Sequence, residues 1–286
     1  MTRLHLRALL PAALLLPLLA AATAIAQQTG HLHHVHMNVT SIERTSAFYS
    51  KIFGVTQVRY ADKASVLAME RSFLFMNEVG SKPILNHQLT GLTHGSWGTI
   101  DGKRQYEWLK QQGVEFYTPV TELLPGSTYM YLYGPDREVV EVTDFAPHHR
   151  FNHIHMVARD AQQTTATAQW FGDLLNAPVS KGAMQNENLS IDGVLVTVFP
   201  IGARFTPNEN DGTLRNTDGS HLDHVAFSFR DVGAVYRRLR KQGVEIVKPL
   251  RVDPEYGFRH FFVRSPNGVL VELVEARHWP DAAWEK

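Results

Sequence analysis

The feature that most constrains the fold is internal repetition. THGSWGT (93–99) lies over DHVAFSF (223–229), and LKQQGVEF (109–116) over LRKQGVEI (239–246), both at an offset of 130. After a one-residue insertion, TYMYLYGPDREVVEV (128–142) runs without gaps against RHFFVRSPNGVLVEL (259–273) at offset 131, which sets Glu141 over Glu272. A second pair repeats as well. HHVHMNV (33–39) matches NHIHMVA (152–158), so His34 lies over His153 and His36 over His155. Four units of this length, in register with one another, indicate duplicated supersecondary modules.

Each module reads as strand, helix, then two or three strands. The His-x-His pairs and Phe227-Ser-Phe229 alternate as half-buried strands do. Tyr106 and Leu109, like Tyr236 and Leu239, repeat at helical spacing, and the helices stop at Gly113 and Gly243, which suit a left-handed cap. Gly134-Pro-Asp136 and Pro266-Asn-Gly268 mark turns between antiparallel strands. PHHR (147–150) is expected to link two halves. The polar stretch 201–220 reads as an excursion outside the core, suited to a lid.

The first 26 residues are expected to be a signal peptide. Arg3 and Arg7 precede the apolar run ALLPAALLLPLLAAATAIA, which closes on Ala24-Ile25-Ala26, so the mature chain would start near Gln27 in the periplasm or outside the cell. The alternative is an uncleaved anchor; separated arginines speak against a twin-arginine route. The chain has 28 basic and 28 acidic residues, so no nucleic-acid footprint is expected. It has no cysteine, which excludes disulfides, thiolate metal sites and a cysteine nucleophile.

With the histidines in the first strands and the GPDREVVEV and SPNGVLVEL hairpins ending in glutamate, the chain resembles the vicinal oxygen chelate superfamily. That superfamily includes glyoxalase I, bleomycin-resistance proteins and extradiol dioxygenases. The resemblance covers residues 31 to about 276. It implies an α+β fold of four βαβββ modules paired into two cups. Residues 27–146 (modules 1 and 2) are expected to form the first cup and 151–276 (modules 3 and 4) the second, with 277–286 as a tail.

The resemblance also implies metal ligands on the first strands and on the last strand of each even module. Carried over, these are His34, His94 and Glu141 in one cup and His153, His224 and Glu272 in the other. Two imidazoles and a carboxylate leave one face of a divalent ion open; iron(II) is favoured, while manganese, nickel and zinc also suit the set. His31 and His33 fall ahead of the strand or on its opposite face and are expected to be solvated. His36 and His155 share a face with His34 and His153. They are expected either to move a proton near the metal or to serve as hydrogen-bonded structural histidines. Tyr131, ten residues before Glu141, resembles a metal-facing tyrosine of ring-cleaving dioxygenases, and His260 lies over Tyr129; His36 or His260, with Tyr131, is expected to handle protons in such a reaction.

Glyoxalase I uses a further ligand from the last strand of the odd module. LVTVFP has no carboxylate, and FLFMNEV has only Glu78, in doubtful register. The reading is therefore an exported, metal-dependent enzyme acting on a small substrate with vicinal oxygens, most like an extradiol ring-cleaving dioxygenase. Two alternatives stay open: a thiol-independent isomerase or lyase, and a non-catalytic binding cup. The expected partner is the small-molecule substrate, with no membrane after signal cleavage, and a homodimer is compatible.

Overall fold

The computed structural model describes residues 27–61, 64–145, 147–203 and 213–276. The signal-peptide reading (1–26), the tail (277–286) and part of the proposed lid (204–212) lie outside the described residues. Module 1 comprises β1 (His31–Val39), α1 (Ile42–Phe53), β2 (Thr56–Tyr60), β3 (Ala64–Ala68) and β4 (Phe73–Glu78). Module 2 comprises β5 (Leu92–Gly98), α2 (Gly102–Gln111), β6 (Phe116–Leu124), β7 (Ser127–Tyr133) and β8 (Val139–Thr143). Module 3 has β9 (Phe151–Ala158), α3 (Ala161–Leu175), β10 (Ser180–Lys181), β11 (Glu187–Ile191) and β12 (Val194–Pro200). Module 4 has β13 (Leu222–Ser228), α4 (Val232–Lys241), β14 (Ile246–Val252), β15 (Arg259–Arg264) and β16 (Leu270–Glu275).

The repeat extends to local chemistry. Every helix starts on a side chain that accepts an otherwise unpaired N–H of the first turn: Ser41, Asp101, Asp160 and Asp231. Beyond α2 and α4 the chain turns at Gly113 and Gly243, with φ of 78° and 76°, where a side chain would be strained.

The four modules form two eight-stranded mixed sheets, but the partners differ from expectation. One sheet runs β14-β15-β16-β13-β1-β4-β3-β2 and the other β10-β11-β12-β9-β5-β8-β7-β6. Module 1 therefore pairs with module 4, and module 2 with module 3; the expected cups 27–146 and 151–276 are corrected. Connector length gives the physical reason. The short 144–150 link joins β8 to β9 within one sheet, as a short connection favours neighbours. The longer connectors, 79–91 and 201–221, cross between sheets. They run side by side there: Arg215 N–H donates to Leu89 O at 2.9 Å and Leu85 N–H to Gly219 O at 3.0 Å. The described part of the presumptive lid is thus tied to the joint between the cups.

The outer faces of the sheets and their helices share one core. Phe53 of α1 stacks on Trp97 of β5 at 4.3 Å between ring centroids, and Phe171 of α3 meets Phe227 of β13 edge-on at 6.1 Å. Module 1 thus packs helix to strand on module 2, and module 3 on module 4, across the two sheets, while the inner faces are left to the cups.

Candidate metal centres

Four bulges position the site. Along β1–β13 the pairing slips between Leu32 and His34 and again between His36 and Met37, inserting His33 on one strand and Asp223 on the other. Along β5–β9 the same slips insert Thr93 and Asn152. Each inserted residue immediately precedes a histidine expected to be a ligand. A bulge breaks strand alternation, so the inserted side chain can turn toward the same side as its successor.

The result is a repeated layout. In the first sheet a row runs Glu272, Ala226, His34, and the next runs His224, His36, Phe75. In the second, Glu141, Ser96, His153 is followed by His94, His155, Thr197. Ala226 and Ser96 are small, which lets the flanking carboxylate and imidazole lean together over them.

In the cup of modules 1 and 4, Glu272 Oε2 lies 3.2 Å from His34 Nε2 and 3.2 Å from His224 Nε2, and the two nitrogens are 3.4 Å apart. Both imidazoles are held from behind: His224 Nδ1 by Asp223 Oδ1 at 2.7 Å, and His34 Nδ1 by His33 Nδ1 at 2.8 Å. His33 in turn meets the Tyr60 hydroxyl at 2.9 Å. The other oxygen of Glu272 is bonded to His260 Nδ1, and Arg251 Nε donates to His260 Nε2 at 3.1 Å. Burial would raise the Glu272 pKa, yet bonds to His224, His260 and His34 hold it well below the usual carboxylate range. Burial lowers His34 despite Glu272. For His224 the bonds to Asp223 and Glu272 overcome burial and carry it up to about 9. A cavity of about 580 Å³ opens over this cluster, walled by Phe75, Tyr256, Phe258 and Phe262 and bordered by Lys248 and Arg251.

In the cup of modules 2 and 3, Glu141 Oε2 lies 3.0 Å from His94 Nε2 and 2.8 Å from His153 Nε2. Thr93 Oγ1 meets His94 Nδ1 at 3.2 Å. Burial alone would raise Glu141, but the two histidines keep it ionised. The Tyr131 ring stands edge-on to His94 at 5.0 Å, and burial together with Glu141 raises its hydroxyl pKa well above the ordinary value. Ser96 Oγ, beneath Glu141 and His153, is buried without a hydrogen-bond partner.

These geometries suit a cation. Nitrogen and oxygen ligands near 2.1 Å from an ion sit about 3 Å apart when adjacent, and the donors here already converge at such distances. Imidazoles facing inward through Nε2 and fixed through Nδ1 have the orientation metal sites require.

All six expected ligands reach a cup, but in different company. His34 joins His224 and Glu272, and His94 joins His153 and Glu141; the expected triads are regrouped because the modules pair 1 with 4 and 2 with 3. His36 and His260 belong to the first cup and Tyr131 and His155 to the second, so Tyr131 shares no site with His36 or His260. His33 corrects a second expectation: it is fully buried among Phe73, Phe75 and Phe258, because the bulge turns it inward. His31 is half-buried and pairs with Asp192 at 3.0 Å. Sequence reasoning missed His33, Asp223 and Arg251. The signal was available for two of them, His33 and Asp223: the residue before each candidate histidine is polar in all four modules.

The glutamates neighbour Ala226 and Ser96, two residues past the even-module histidines. The matching neighbours of His36 and His155 on the odd modules are Phe75 and Thr197, neither of them a carboxylate. Glu78 lies level with Val39, away from the donors, and accepts the Ile42 N–H at 2.8 Å.

Glyoxalase I from Zea mays is similar in fold, with a TM-score of 0.65 at 16% identity, over 87% of this chain and 93% of that one. A candidate dioxygenase from Bacillus subtilis gives 0.62 at 14% identity, over 87% and 86%. No curated protein shows significant sequence similarity. The sequence profile of the Glyoxalase/Bleomycin resistance protein/Dioxygenase superfamily matches residues 31–142 and 150–273. The chain belongs to that superfamily.

Proposed function

We propose that the protein is a divalent-metal-dependent enzyme acting on a small molecule with vicinal oxygens, of the extradiol ring-cleaving type. The carrying observation is the convergence of two imidazoles and one carboxylate in each cup, with Phe75 and Thr197 where a further carboxylate would stand. A divalent ion held there, iron(II) in this reading, supplies Lewis acidity and open positions for a chelating substrate and dioxygen.

The remaining work falls to the chain. In the first cup the aromatic walls accept a flat ring and exclude water from it. His36, part-exposed to the cavity, is kept neutral by burial and by His224 and His34, so a ring nitrogen is free to take a proton from an arriving hydroxyl. His260, braced by Arg251, fixes Glu272 so that a single oxygen faces the imidazoles. In the second cup Tyr131 is held protonated and able to donate a hydrogen bond.

A second reading, a thiol-independent isomerase or lyase, is favoured by His155, which adds a fourth group to the His94, His153 and Glu141 cluster. Anaerobic loading with iron(II), followed by oxygen uptake on a catechol panel, tests the first reading. It predicts uptake with ring-opened product. No uptake, with turnover of a hydroxy-carbonyl compound, would establish the second. Less than about a tenth of an equivalent of metal after reconstitution would leave only a binding cup. We further infer that residues 1–26 direct export, supported by the basic start and small-residue close. N-terminal sequencing of exported protein should then begin at Gln27.

A further inference from the structure

We infer that the two cups hold their ions through unequal sets: four protein donors in the cup of modules 2 and 3, with His155 as the fourth, and three in the cup of modules 1 and 4. The inference rests on reading both cups as metal sites.

His155 sits directly across from His94 in the strand pairing, with ring centroids 4.4 Å apart. One donor atom from each of His94, His153, His155 and Glu141 can be chosen so that all four lie within 4.8 Å of one another. Opposed ligands around one ion stand about 4 Å apart, so a small ring rotation closes the set. The His155 ring is buried and is backed by Phe199, stacked at 4.6 Å, which fixes it against the cluster. Its neighbour Thr197, at the place of the missing carboxylate, is bonded to Asn186 at 2.9 Å. His155 thus covers the corner that β12 leaves without a ligand.

His36 has the same place in its own strand, yet its surroundings differ. It groups with His34 and His224, and its ring stacks on His224 at 4.5 Å while one edge opens to the cavity. Glu272 is drawn the other way by His260 and Arg251. In the second cup Tyr129 and Thr121 occupy the positions of that pair, and they carry no comparable charge. Four protein donors leave two positions on a six-coordinate ion, enough for a bidentate substrate. Three leave room for that chelate and one more small ligand. On this count the cup of modules 1 and 4 has room for a chelating substrate and dioxygen together, and the cup of modules 2 and 3 for the chelate alone.

The test is a count of histidines by X-ray absorption on protein loaded with cobalt(II) alone. With both cups filled, the mean should be two and a half per ion, against two if both sets are three-membered. Glu272→Ala with His34→Ala isolates the second cup, which should show three histidines. Adding His155→Gln should lower this to two and weaken cobalt binding by more than about 10-fold, the least that losing even a group that only orients a ligand costs. Glu141→Ala with His94→Ala isolates the first cup, where His36→Gln should leave the count at two. An unchanged count and affinity after His155→Gln would overturn the inference. So would a wild-type mean of two, a measurement that needs no variant to fold. Failure of wild-type protein to bind cobalt would instead remove the metal reading itself, before any count is made.

Discussion

Three of the four candidate ligand histidines, His34, His94 and His224, are held by the residue before them. Asp223 and His33 hold the Nδ1 atoms of His224 and His34, and fixing that nitrogen orients the other toward the ion. Asp223→Ala and His33→Ala should each weaken metal binding in the first cup by about 10- to 100-fold, measured by chelator competition, while the second cup is unaffected. A residue outside the cups adds a pH dependence of its own. Glu138 is buried in the module 2 hairpin, where Tyr49 Oη donates to it at 3.1 Å and the Asp136 N–H at 2.8 Å. Burial outweighs these bonds and raises it to about 7. The folded state therefore holds this proton more tightly than the unfolded chain. The stabilisation is complete below the unfolded value and is lost as pH rises through about 7. Denaturant titrations of wild type and Glu138→Gln should diverge between pH 5 and 8, the wild type losing on the order of 3 kcal/mol relative to the variant. The buried histidines held neutral, His34, His36, His87, His94 and His155, contribute with the opposite sign and cancel in that difference; parallel curves would assign the response elsewhere.

At the scale of elements, the contacts between sheets decide stability. Trp97 lies against Tyr49, Phe53 and Phe151, joining β5 to α1 and β9. Trp97→Ala should cost about 3–5 kcal/mol by chemical denaturation. A loss below about 1 kcal/mol would show that the sheets are not coupled through this contact. Much at this scale is legible in the sequence. The repeat offsets place strands, helices and hairpins, and Gly113 and Gly243 end their helices as read. That the six candidate ligands converge in two clusters also follows, because a duplicated fold repeats its arrangement. The bulges are not legible. A strict two-residue alternation sends His33 to solvent, whereas one inserted residue at each crossing brings it inside. Module pairing is hidden for a related reason: β5 and β13 carry nearly the same pattern, so β1 could pair with either. Connector length, not strand chemistry, separates the two arrangements.

At the scale of the whole molecule, modules 1 and 2 touch without sharing a sheet, and so do modules 3 and 4. The module 2 turn clasps the start of α1, with Asp136 Oδ2 accepting the Thr40 N–H at 2.8 Å. The module 4 turn does the same near α3, where Gln163 Nε2 donates to Pro266 O at 2.8 Å. The modules thus pair in nested order along the chain, 1 with 4 and 2 with 3, and each candidate ion site draws its donors from one such pair. The most direct test is metal stoichiometry in a variant carrying His34→Ala, His94→Ala and Glu141→Ala. His34 lies in one cup and His94 and Glu141 in the other, so the account predicts that both ions are lost, whereas His34→Ala with Glu272→Ala leaves one. Retention of one ion in the first variant would contradict the pairing of module 1 with module 4 and of module 2 with module 3.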